Sequence, residues 1–148
     1  MGQEAPATAY LVTASMFRDA AMVLLRDPPK PAILLPTLFL IHHAIELYLK
    51  AYLSLTKEVE WIHDIVALFD ECERHGYKCS DKNARLKIQK LRQANEKHYL
   101  RYLKWGDRKT VAAFLDYQKL LSVLQAEVGP IVIDREIGPT KIDGAARR

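Results

Sequence analysis

Glycine, cysteine and long apolar runs are all scarce in this chain, and each shortage excludes a class of protein. The six glycines among 148 residues form no phosphate-cradling loop, and no Ser-His-Asp order or paired-carboxylate motif is recognisable. Two cysteines, Cys72 and Cys79, cannot make a disulfide framework. Cys72-x2-His75-x3-Cys79 lacks the fourth ligand that closed zinc sites take, so no metal or other cofactor is expected. The longest uncharged apolar run, Pro31–Ile41, is shorter than the ~20 residues that span a bilayer, so no membrane segment is expected. The opening MGQEAPATAY has no basic stretch leading into an apolar one, and the expected compartment is a reducing cytoplasm. There is no internal repeat and no alternating pattern of the kind strands need outside the C-terminal tail.

What is present is a composition 49% hydrophobic and 27% charged, that of a globular chain long enough for one domain. Its organising stretch is LFLIHHAIELYLKAYLSL, Leu38–Leu55, inside a helix expected over about Ala32–Lys57. The polar members His42, His43, Glu46, Lys50 and Ser54 fall within roughly a third of the circumference, and the rest is apolar. A helix so apolar is central to a bundle.

Around it the spacing predicts four more helices. The first covers about Thr8–Arg26, with Tyr10, Ala14, Phe17, Ala21 and Leu24 facing the core; Asp27-Pro28-Pro29-Lys30-Pro31 ends it. Pro36 either kinks the second helix or marks its start. The third covers roughly His63–His75, buries Ile65, Val66, Phe69 and Cys72, carries Asp64 in its first turn and stops at Gly76. The fourth, capped by Ser80 or Asp81, runs to about Leu103, with Ala84, Ile88, Leu91, Asn95, His98 and Tyr102 on one side. The fifth runs from a cap at Thr110 to about Val128, presents Leu115, Leu121, Leu124 and Val128, and ends at Gly129-Pro130. Residues 130–148 are expected to be a docking or disordered tail. The fold class is therefore all-α, an up-and-down bundle of four to five helices in one domain with its core at about 8–128.

Charge is unevenly placed. Residues 1–77 hold 6 Lys/Arg against 10 Asp/Glu, whereas residues 78–109 hold 11 against 3. A basic segment of this kind attracts phosphates or an acidic partner, or simply keeps a helix solvated. Near its end Arg101 and Tyr102, with Lys104, Trp105 and Arg108, mix cations and aromatics as single-stranded RNA or nucleotide binding requires, unless the aromatics are core. Glu46 and Lys50, spaced i and i+4, pair on the helix face, and His63 and Asp64 can meet them. That cluster reads either as a polar network tying the corner of the second and third helices or as a ligand site.

The two halves of that corner carry a family resemblance. Ala44-Ile45-Glu46-Leu47-Tyr48-Leu49-Lys50-Ala51 followed by His63-Asp64-Ile65 resembles the HEPN (higher eukaryotes and prokaryotes nucleotide-binding) superfamily over about Leu38–Gly76. The resemblance implies a bundle that usually forms a homodimer. It implies either a ribonuclease of toxin–antitoxin, CRISPR or RNA-processing systems, or an inactive form that binds nucleotides or partners a nucleotidyltransferase. The family's nuclease signature, Arg and His separated by four to six residues, is met in form by Arg92-Gln-Ala-Asn-Glu-Lys-His98. The implied roles are stabilisation of phosphorane charge by Arg92 and proton transfer by His98. Six residues turn a helix by about 600°, so the two side chains meet only across a dimer or through a distortion.

The reading that results is a non-catalytic, homodimeric binder of a nucleotide, RNA or partner protein. Its expected contacts are Glu46, Lys50, His63, Asp64, Asn95, Arg101 and Tyr102. The alternatives are a metal-independent endoribonuclease using Arg92 and His98, and a scaffold for a nucleotidyltransferase-like partner.

Overall fold

The computed structural model describes residues 5–26, 31–96 and 108–138, with side chains for 5–26, 35–94 and 114–138. Among the described residues five helices follow one another: α1 Ala7–Leu24, α2 Pro31–Leu53, α3 Ile65–Arg74, α4 Ala84–Glu96 and α5 Arg108–Glu136. Among the described residues there is no strand. α2 lies at the centre, packed on α1, α3 and α5. Its residues Ile41, Ala44, Ile45, Tyr48, Leu49, Ala51 and Leu53 are wholly buried, as a helix apolar on most of its surface requires.

The helix ends follow local chemistry. α2 stops at Leu53, four residues before the expected end, where the Thr56 hydroxyl donates to the Leu53 carbonyl and that of Ser54 to Ala51. Such side-chain bonds compete with continuation of the helix. α3 starts one residue after Asp64, which is its N-cap and accepts from the backbone N–H of Val66 and Ala67 at 2.9 and 3.2 Å. It ends at Gly76, whose φ of +97° only glycine adopts cheaply. There Tyr77 N–H reaches Cys72 O and Gly76 N–H reaches Glu73 O, a Schellman closure.

Three expectations need correction. The core seam of α1 is rotated: Ala7, Leu11, Ala14 and Ala21 are buried, while Tyr10, Phe17 and Leu24 are only half-buried. Leu115 is 55% exposed, because the buried seam of α5 runs Phe114, Tyr117, Leu121, Leu124, Val128 in steps of three and four. And α5 does not end at Gly129-Pro130 but continues through it to Glu136. Pro130 is exposed, as is Ala126, whose carbonyl would have been its partner, so the missing bond lies on the solvent side and leaves no buried carbonyl without a partner. Val128 and Val132 on the opposite side are fully buried and hold the extra turns to the core.

The extension closes the molecule. Glu136, at the last position of α5, caps the start of α1: its carboxylate accepts from the N–H of Ala7, from the N–H of Thr8 at 3.0 Å and from the Thr8 hydroxyl at 2.7 Å. The first and last helices are thereby joined end to end. No helix among the described residues is long and apolar enough to cross a membrane.

Candidate functional site

The polar stripe of α2 and the start of α3 converge on one carboxylate. Glu46 Oε1 accepts from Lys50 Nζ at 3.0 Å and from His63 Nδ1 at 3.0 Å, while His43 Nδ1 stands 3.9 Å from Oε2. Lys50 Nζ also lies 3.5 Å from the Glu60 carbonyl and 3.4 Å from His63 Nδ1. Helical spacing puts Glu46 and Lys50 one turn apart. The Asp64 cap fixes where the chain enters α3 and so delivers His63 to them. Both α2 side chains are buried, Glu46 at 7% and Lys50 at 4% exposure. The His63 side chain, by contrast, is 72% exposed. With Nδ1 given to the carboxylate, Nε2 is the nitrogen left to solvent.

Burial pushes the Glu46 carboxyl up. The hydrogen bonds from His63 and Lys50 and the charges of Lys50 and His43 outweigh it, and the group titrates below its ordinary range. His42, on the same side of α2, is held below the usual imidazole value chiefly by burial, with His43 adding to the effect and Glu46 and Asp64 opposing it. Its neighbour His43 packs edge-on against Phe17, with ring centroids 4.5 Å apart.

α4 joins the site through Arg92, whose guanidinium meets Asp64 Oδ2 at 3.3 Å. Asp64 therefore works twice, capping α3 with one oxygen and holding Arg92 with the other. Much of the basic character of α4 is spent internally in this way. Arg85 forks onto Asp70 of α3 at 2.9 and 3.2 Å, and Lys87 pairs with Asp81 at 2.6 Å. Lys78, Lys82 and Lys90 are exposed.

Beyond His42 the same seam between α2 and α4 opens into an apolar groove of about 300 Å³, walled by Leu35, Phe39 and His42 on one side and Leu91 and Ala94 on the other. Leu35 and Phe39 are 50% and 69% exposed. The sequence reading missed this groove. Its signal was present: Leu35, Phe39, His42 and Glu46 follow at steps of four, three and four, placing the two apolar residues on the polar stripe.

Of the residues singled out from sequence, Glu46, Lys50, His63, Asp64 and Arg92 thus come together. Asn95 lies in α4 with its side chain outside the described residues, and His98, Arg101 and Tyr102 fall outside them entirely. No group of His, Cys, Asp and Glu among the described residues is placed to hold a metal, and the Cys72 thiol is buried, pushed up to about 12 by that burial.

The class is set by these features: an all-α bundle with a charged cluster where its second, third and fourth helices meet. The family model of the HEPN domain matches residues 8–126, and the chain belongs to that family. Comparison with curated proteins and with solved structures returned no match.

Proposed function

We propose that this protein binds single-stranded RNA through the α2–α3–α4 junction, without cleaving it, as a homodimer. Membership of the HEPN family points to a nucleotide- or RNA-related role. The observation that carries the reading is the exposed His63 imidazole held at the mouth of a buried Glu46–Lys50 pair, next in sequence to the Asp64 that holds Arg92. The buried pair holds His63 in place from behind, leaving Nε2 to meet a phosphate from the front, beside the ion pair that Arg92 makes with Asp64. Trp61, two residues before His63 in the same connector, is 84% exposed and supplies a face on which a base can stack. Lys78, Lys82 and Lys90 add the diffuse positive field that favours a polyanion. The stripe of Val12, Met16 and Val23 along the outside of α1, 59%, 65% and 56% exposed, supports self-association.

The test is fluorescence anisotropy with a labelled single-stranded RNA decamer, titrated at about 50 and 200 mM salt, beside light scattering for the oligomeric state. Binding that weakens steeply with salt and is reduced in Arg92→Ala is the expected result. No binding by folded protein overturns the reading and leaves the scaffold for a nucleotidyltransferase-like partner. Cleavage of the decamer in chelator, lost in both Arg92→Ala and His98→Ala, replaces it with the endoribonuclease.

A further inference from the structure

We infer that the apolar groove between α2 and α4 is a subsite for one unpaired base of a bound RNA strand, with Phe39 its stacking face and His42 its hydrogen-bonding partner. This rests on the RNA-binding reading and adds to it the place where a base is held. The groove is nearly all apolar, and at about 300 Å³ it stands at the lower end of the volumes that take small organic groups, enough for one planar ring system. Its rim exposes a phenyl ring at 69%, which an unpaired base would cover.

Position singles out a base rather than any other apolar group. His42 walls the groove and lies within electrostatic reach of both Glu46 and Asp64. Asp64 in turn holds Arg92. One continuous seam therefore runs from the apolar groove through His42 to the Asp64–Arg92 ion pair and the exposed His63 imidazole. A group that suits both ends is planar and apolar at one side and anionic at the other, as a nucleotide unit within a strand is. Burial keeps His42 neutral near pH 7, so its ring offers one donor or one acceptor to the edge of a base without demanding a counter-charge.

The experiment compares two labelled decamers in anisotropy titrations of the full chain: an oligoadenylate and a ribose-phosphate decamer without bases. Wild type is expected to bind the oligoadenylate about tenfold more tightly, the order that stacking a base on an aromatic ring provides. In a Trp61→Ala background, which removes the other exposed stacking face, Phe39→Ala, at an exposed position whose loss leaves the core intact, is expected to bring oligoadenylate affinity down to that of the baseless decamer. Phe39→Trp is expected to keep the preference, as is Leu86→Ala, which removes an exposed apolar residue elsewhere on α4. Equal affinity of wild type for both decamers overturns the subsite while leaving phosphate-led RNA binding standing. A preference that survives Phe39→Ala in the Trp61→Ala background overturns the groove as its seat. Failure to bind either decamer overturns the subsite together with the function it rests on. Displacement of the oligoadenylate by adenosine 5′-monophosphate at equal base concentration overturns the strand as occupant in favour of a free nucleotide.

Discussion

Burial alters the value of the Glu46–Lys50 pair at the scale of single residues. On a solvated helix an i, i+4 pair contributes a few tenths of a kcal/mol. At 7% and 4% exposure each ion has lost most of its water, and only the complete set of partners offsets that loss. Lys50→Met alone, which strands the Glu46 charge, is expected to lower the unfolding free energy by about 3 kcal/mol. The double change Glu46→Leu with Lys50→Met is expected to recover most of it, and urea titrations of the three proteins decide. The titration of the same site has a definite sign. Glu46 lies below its ordinary 4.5, so its contribution is present above that pH and is lost as pH falls through the lower folded value. His42 acts earlier. Its folded value lies below 6.5, so the unfolded chain takes the proton first and stability declines as pH falls below 6.5. His42→Phe is expected to flatten the upper part of that decline, leaving the Glu46 part in place, when unfolding free energy is measured from about pH 7 to pH 4.

Among the elements, α5 shows packing overriding a local stop signal. Proline inside a helix costs about 3 kcal/mol through a lost bond and a clash with the preceding turn. Here the loss falls on the solvent side, and Val128 and Val132 bury beneath it. Pro130→Ala restores an N–H donor for the Ala126 carbonyl. It is expected to raise stability by about 1–2 kcal/mol, the gain in helix being reduced by the freer unfolded chain. A fall in the thermal midpoint would mean that the ring itself packs. α3 shows the opposite case, in which local signals mostly agree with the structure: Gly76 stops it as expected, and Asp64, expected inside the first turn of a helix from about His63, instead stands just before Ile65 as the cap.

For the molecule as a whole, the contact that closes the fold lies between its two ends. Glu136 reaches back over more than a hundred residues to cap α1. Truncation after Val128, at the edge of what the sequence presents as the core, removes Val132 and this cap together. The truncated chain is expected to stay helical but to lose several °C of thermal stability, with faster amide exchange confined first to Ala7–Leu11. Glu136→Gln, which keeps Val132, separates the two contributions: about 1 kcal/mol belongs to the cap. Uniform exchange along all five helices after truncation would show that α1 does not depend on the end of α5.

Much of the architecture was therefore readable beforehand, and the reasons are local. Apolar period and left-handed glycine act within one or two turns, so helix number, the central place of α2, the glycine stop of α3 and the family resemblance all followed from sequence alone. The Glu46–Lys50–His63 meeting was legible for the same reason, since helical spacing and a short connector leave those side chains few other places to go. Tertiary structure alone decided which face of α1 turned inward, that Lys50 lost its water, that Arg92 closed on Asp64, and that α5 ran on to Glu136. Those outcomes depend on which surfaces meet across long stretches of chain. There the burial of Val128 and Val132 outweighs a proline, and no periodicity within one helix records what its neighbour will cover.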